Sequence, residues 1–144
     1  MKKPAIQLAA VLLALASPIL FAQQAGAPKA PEFKAHVLSH SELDALLAKP
    51  DQVLLIDVRR PDEVTSIGGF PVYLSIQASE LDKSLAWIPK GRTIVTVSNH
   101  AGRAGKAADL LASKGFNVAG AVGAETYEKD GGKITHLKPP PAKS

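Results

Sequence analysis

Residues Val95 to Leu111 read VTVSNHAGRAGKAADLL: three strand-forming residues, six with the character of a tight loop, and then a helix-forming run. The apolar run that precedes them starts at Thr93, and Ala104 to Leu111 is a helix stopped by Gly115 in the C′ position. A further apolar run, Asn117 to Val122, follows within three residues of that stop. Strand, loop, helix and strand in so short a span make a βαβ unit. The segment therefore predicts an α/β fold with a mainly parallel central sheet and helices on both faces.

Working outward, Val53 to Ile56 is a second continuous apolar run, as expected of a strand buried on both faces, and it ends at Asp57. Before it, Ser39-His40-Ser41-Glu42 has the spacing of a capping box. Leu43, Leu46 and Leu47 then line one face of a short helix closed by Pro50. Functional groups in parallel sheets gather where strands end and helices begin. The places to look are after Ile56 and after Val97.

At the second place the backbone itself offers chemistry. A helix N-terminus leaves N–H groups without intrahelical partners and carries partial positive charge. The loop Ser98, Asn99, His100, Ala101, Gly102, Arg103 is thus expected to present converging donors to an anion, with the Arg103 guanidinium forking two oxygens. Ala101 and Gly102 keep the backbone approachable. Ser98 suits an N-cap role, and Asp57 with Arg59 suits a supporting ion pair below the loop.

Three segments resemble the rhodanese-like domain over roughly His36 to Leu137: LLIDVRRPDEV (Leu54 to Val64), IVTVSNHAGRAGKAADLLASKGF (Ile94 to Phe116) and AVGAETY (Ala121 to Tyr127). The resemblance implies a three-layer α/β sandwich. It matches Asp57, Val58, Arg59, Asp62 and Glu63 to the family's Asp-Val-Arg strand end and acidic turn. It also places Ser98 and Arg103 at the two ends of the six-residue active loop, and Gly123 and Tyr127 in the family's Gly-Gly-x-x-x-Trp ending. The family's nucleophile at the Ser98 position is a cysteine that becomes a persulfide. This chain has no cysteine, and a serine hydroxyl cannot hold a transferable sulfur, so no catalytic residue is expected and thiosulfate sulfurtransferase activity is not expected. The loop glycine sits one place late, at Gly102, and SIGGFPVYLS (Ser66 to Ser75) replaces the family's Gly-His-Ile-Pro-Gly segment.

The plainer readings are these. Trp87 belongs to core packing, Gly68-Gly69 marks a tight turn, and Phe70 stands at a pocket rim. His36 and His40 lie four apart, but with Ser39 as N-cap His36 falls outside the helix, so no metal face and no cofactor are expected.

Lys2 and Lys3 precede an apolar run from Ala5 to Leu15, followed by Ser17-Pro18 and Ala22. This is the layout of a signal peptide over residues 1–22, and implies export to a bacterial periplasm with no stable membrane insertion after cleavage. Loss of that segment leaves 15 basic residues against 13 acidic ones, lowering the formal charge from +4 to +2. No basic cluster tracks a phosphate backbone, which excludes nucleic acid as the expected partner. Residues 23–35 read as a flexible linker, 36–137 as the domain and 138–144 as a flexible tail. Two functions fit: a non-catalytic module binding a small oxyanion or an acidic group of a periplasmic protein partner at the Ser98-Arg103 loop, or a hydrolase using Ser98 with His100 and the loop amides.

Overall fold

Ser39 opens helix α1 (His40–Leu47) by the reciprocal capping box expected of it: the Glu42 amide donates to Ser39 Oγ while the Glu42 carboxylate accepts from the Ser39 amide at 2.8 Å. These contacts hold the Glu42 carboxyl at about 2, chiefly through the Ser39 backbone hydrogen bond. The computed structural model describes residues 32–71 and 73–136. The expected signal peptide, most of the linker and the tail lie outside the described residues.

After α1 the chain runs through β1 (Val53–Asp57), α2 (Pro61–Ile67), β2 (Tyr73–Ser75), a 3₁₀ helix (Asp82–Trp87), β3 (Thr93–Ser98), α3 (Ala101–Ser113), β4 (Val118–Gly123) and α4 (Ala124–Lys129). The four strands form one parallel sheet in the order β2-β1-β3-β4. Its central strands are unbroken apolar runs because both faces are covered. On one face Leu55, Val95, Val97 and Val122 pack with Leu43 of α1 and Tyr127 of α4. On the other, Ile56, Ile94 and Val58 pack with Leu81, Ile88 and the Ala107 and Leu111 face of α3. Gly115 ends α3 with φ of +82°, a left-handed conformation that glycine adopts without penalty.

The linker expectation changes at its last four residues. Glu32 to Ala35 dock on α3: the Lys34 amide donates to Asp109 at 2.7 Å, Lys106 pairs with Glu32 at 2.7 Å, and Ala35 packs against Ala104, Ala108 and Ala121. Phe33 lies so close to Gly105 that a Cβ there would stand 2.2 Å from its ring. The physical reason is a helix face made of alanine and glycine, flat enough for backbone and ring to settle on. Next in the chain, Val37 bridges Ala121 at the edge of β4. Gly120 is required beside it, since a Cβ would stand 2.4 Å from the His36 carbonyl oxygen.

One further expectation is corrected. Trp87 is not core: it is 84% exposed at the end of the 3₁₀ helix, and Ile88 fills the interior position beside it. Phe70 lines a pocket with Val64, Gly69 and Thr135, as expected, while its ring is 2% exposed and lies tilted against Tyr127 at 5.2 Å between ring centres. The Gly68-Gly69 turn carries φ of +103° at Gly68, and Gly69 exchanges two backbone hydrogen bonds with Thr135.

Candidate functional site

The register of the sheet brings Asp57 beside Val97, and Ser98 beside Gly123, along one carboxyl edge. Above this edge α3 begins earlier than the sequence suggests. Ala101, Gly102 and Arg103 are not loop residues but the first turn of the helix, and only Asn99 and His100 connect it to β3. The reason is the Ser98 side chain. Its hydroxyl donates to the His100 carbonyl and accepts from the Ala104 amide at 2.9 Å, so it bridges the two groups that open the helix's hydrogen-bond ladder. Ser98 is fully buried.

This arrangement settles which atoms of Ser98 are engaged. The hydroxyl proton goes to a backbone carbonyl and not to the His100 ring, whose Nε2 stands 3.7 Å from Glu125 in a side chain that is 77% exposed. The pairing of nucleophile and imidazole that acyl chemistry requires is not formed.

Below the loop, Asp57 and Arg59 are both fully buried and form a two-point ion pair, with Nε to Oδ1 at 2.9 Å and an Nη to Oδ2 at 2.6 Å. Arg59 also donates to the Gly68 carbonyl at 2.9 Å and to Asn99 Oδ1 at 3.4 Å. A buried pair of this kind ties β1, the turn after α2 and the connection after β3 together. Gly123 completes the packing, since a Cβ there would meet the Asn99 oxygen at 3.0 Å.

Arg103 leaves the first turn of α3 and forks Glu63 of α2, with Nη to Oε distances of 2.8 Å and 2.5 Å. Glu63 accepts two more bonds, from Asn99 Nδ2 at 2.8 Å and from the Arg60 amide at 3.0 Å. The Arg103 hydrogen bonds first, then the Arg60 amide, hold the Glu63 carboxyl down to about 2, and Glu63 raises Arg103 in return. Glu63 is the member of this polar cluster that the sequence-based site leaves out. Its signal was present in Pro61-Asp62-Glu63, a helix start with glutamate three places after Arg60, but sequence spacing does not show that α2 and α3 meet.

His36 faces Glu42 at 2.9 Å, and His40 faces Asp44 at 3.0 Å. Among the described residues no helix is long and apolar enough to cross a membrane.

Together these features define a class: a parallel α/β domain with a polar site on the carboxyl edge of its sheet, built around the β3–α3 connection. Solved structures place it further. A rhodanese-related protein from Thermoplasma volcanium superposes with a TM-score of 0.63 at 19% identity, over 71% of this chain and 99% of that one. A rhodanese-like domain protein from Staphylococcus aureus gives 0.60 at 20% identity, over 72% and 98%. A thiosulfate sulfurtransferase from Pseudomonas aeruginosa gives 0.57 at 24% identity, over 72% of this chain and 21% of that one. No family model and no curated protein matches the chain. The chain has the rhodanese-like fold, in a form without any cysteine.

Proposed function

We propose that this chain is an exported binding module on a rhodanese-like fold, without sulfurtransferase activity, that recognises an oxyanionic group at the Ser98–Arg103 segment. The carrying observation is Arg103 itself, with 40% of its side chain exposed at the opening turn of α3. A guanidinium has five N–H donors, and the contacts with Glu63 engage only its two Nη nitrogens, so donors remain for a second acidic group. The exposed Gly102 has open space around its Cα, and the amides of the first turn lie outside the helix's own ladder. The two sources of such a group are a small free oxyanion and an acidic side chain of a periplasmic protein partner.

No thiol exists to carry persulfide, and the buried, doubly bonded Ser98 hydroxyl gives no support to the hydrolase alternative. The layout of residues 1–22 supports export. The test is titration of the mature protein with sulfate, thiosulfate and a glutamate-rich peptide, followed by amide chemical shifts. Shifts centred on Ala101 to Arg103, weakened by about 1.5–3 kcal/mol in Arg103→Ala, are expected for a charge-assisted contact. Unchanged spectra with all three ligands would remove the reading.

A further inference from the structure

We infer that Glu63 is the specificity-determining residue of this site: it occupies Arg103 as a resident carboxylate, so that free oxyanions are disfavoured and an acidic group presented by a protein segment is selected. The inference rests on the reading of Arg103 as a binding residue and adds what governs it. Both Glu63 oxygens are engaged, one by an Nη of Arg103 and by Asn99 Nδ2 at 2.8 Å, the other by the second Nη at 2.8 Å and by the Arg60 amide at 3.0 Å. Only 13% of the Glu63 side chain is exposed. The carboxylate therefore occupies both Nη nitrogens of Arg103, the pair of donors with which a guanidinium forks an oxyanion.

Two consequences follow from charge and geometry. First, Glu63 cancels the Arg103 charge locally, and the neighbouring Arg60 is itself paired with Asp62 at 2.9 Å. A small free anion must then either break several charge-assisted bonds or make do with the outward donors alone. Second, Glu63 is covalently part of the domain and competes at high effective concentration, as any tethered group does. A ligand overcomes such a competitor by adding contacts elsewhere, which a protein segment can do and a free sulfate cannot. The outward donors of Arg103 bridge the resident carboxylate and the incoming one.

The experiment compares wild type, Glu63→Gln, Glu63→Ala and Arg103→Ala, each checked by thermal melting, in titrations with sulfate and with a glutamate-rich peptide. Glu63→Gln is expected to bind sulfate about tenfold more tightly than wild type, the equivalent of roughly 1.4 kcal/mol. Glu63→Ala should do the same if Gln disturbs the α2–α3 contact. The peptide should gain less than sulfate does from either change, and Arg103→Ala should lose both ligands. Equal sulfate affinity in wild type and both Glu63 variants, with binding still lost in Arg103→Ala, would overturn the role of Glu63 and leave the binding site standing. Absence of binding in every variant would instead overturn the site itself.

Discussion

Glu63 and Arg103 stand 40 residues apart in sequence, yet meet end to end across the gap between α2 and α3, with both Nη nitrogens of the guanidinium engaged. The same carboxylate reaches Asn99 in the connection after β3, so one side chain links three successive pieces of the site. Its carboxyl, ordinarily near 4.5, is held to about 2, first by the Arg103 hydrogen bonds and then by the Arg60 amide. A folded-state value depressed below the unfolded one contributes stability that is complete above the unfolded value and is lost as pH falls towards the folded one. Between about pH 4.5 and 2, wild type should therefore lose stability more steeply than Glu63→Gln. Glu42, also held at about 2, titrates over the same window, so the difference between the two proteins is the quantity to measure. Urea melts at pH 7, 4 and 3 provide it; parallel pH profiles would mean that the pair contributes no stability.

The pair beneath the site should behave differently, because it is fully buried. Asp57→Ala leaves the Arg59 guanidinium without its carboxylate in the interior, and breaking a buried pair in this way costs about 3–5 kcal/mol. Removing both charges, as in Asp57→Ala with Arg59→Met, should recover a large part of that loss, since an apolar replacement leaves no stranded charge. Chemical denaturation of the single and double variants checks this, and a double variant as unstable as Asp57→Ala would refute it.

Much of the fold was legible because the deciding signals are local. The continuous apolar runs of β1, β3 and β4 and the Ser39–Glu42 capping box are read from neighbouring residues, and each formed within a residue or two of its expected bounds. What sequence could not supply was contact between distant segments. Trp87 looked like core by composition, but Ile88 took the interior position. The start of α3 moved three residues because a single hydroxyl, Ser98 Oγ, closes the gap between His100 and Ala104, a result of side-chain direction and not of propensity. Glu63 belonged to a recognisable acidic turn, yet its role depends on where α2 lies against α3.

Trp87 gives a direct optical check of one of these corrections. It is the only tryptophan in the chain and is 84% exposed. Its emission should resemble that of an indole in water, and iodide should quench it nearly as efficiently as it quenches a tryptophan peptide. Trp87→Ala should change stability by no more than about 0.5 kcal/mol, the usual range for surface substitutions. Blue-shifted, protected emission in the purified protein would contradict the placement.

Gly105 should be a residue at which helix propensity and packing oppose one another. Alanine in a helix interior is favoured over glycine by roughly 0.5–1 kcal/mol. Against this, a Cβ at Gly105 would stand 2.2 Å from the Phe33 ring, and forcing a group into an occupied space costs about 1–3 kcal/mol. The packing term wins, so Gly105→Ala should be destabilised or should release Phe33. Release is the cheaper outcome and would free the segment from Glu32, whose bonds to α3 are exposed. Limited proteolysis distinguishes the two, since cleavage near Phe33 with an unchanged melting point signals release.

Ser98→Cys asks whether a thiol nucleophile can be supported at this site. Ser98 is fully buried, and its hydroxyl bridges His100 and Ala104. A thiol there enters an enclosed position, out of water, that disfavours the thiolate, while the start of α3 favours it. Arg103, the cation that would otherwise strengthen the second effect, is already bound to Glu63. Burial should therefore prevail, and the variant should alkylate with iodoacetamide at pH 7 more slowly than a free cysteine peptide and form no thiocyanate from thiosulfate and cyanide. The double variant Ser98→Cys, Glu63→Gln frees Arg103 and should react faster than Ser98→Cys alone. Equal alkylation rates in the two would show that Glu63 does not control the electrostatics at the end of β3, and rapid alkylation of the single variant would show that the enclosure around Ser98 opens in solution.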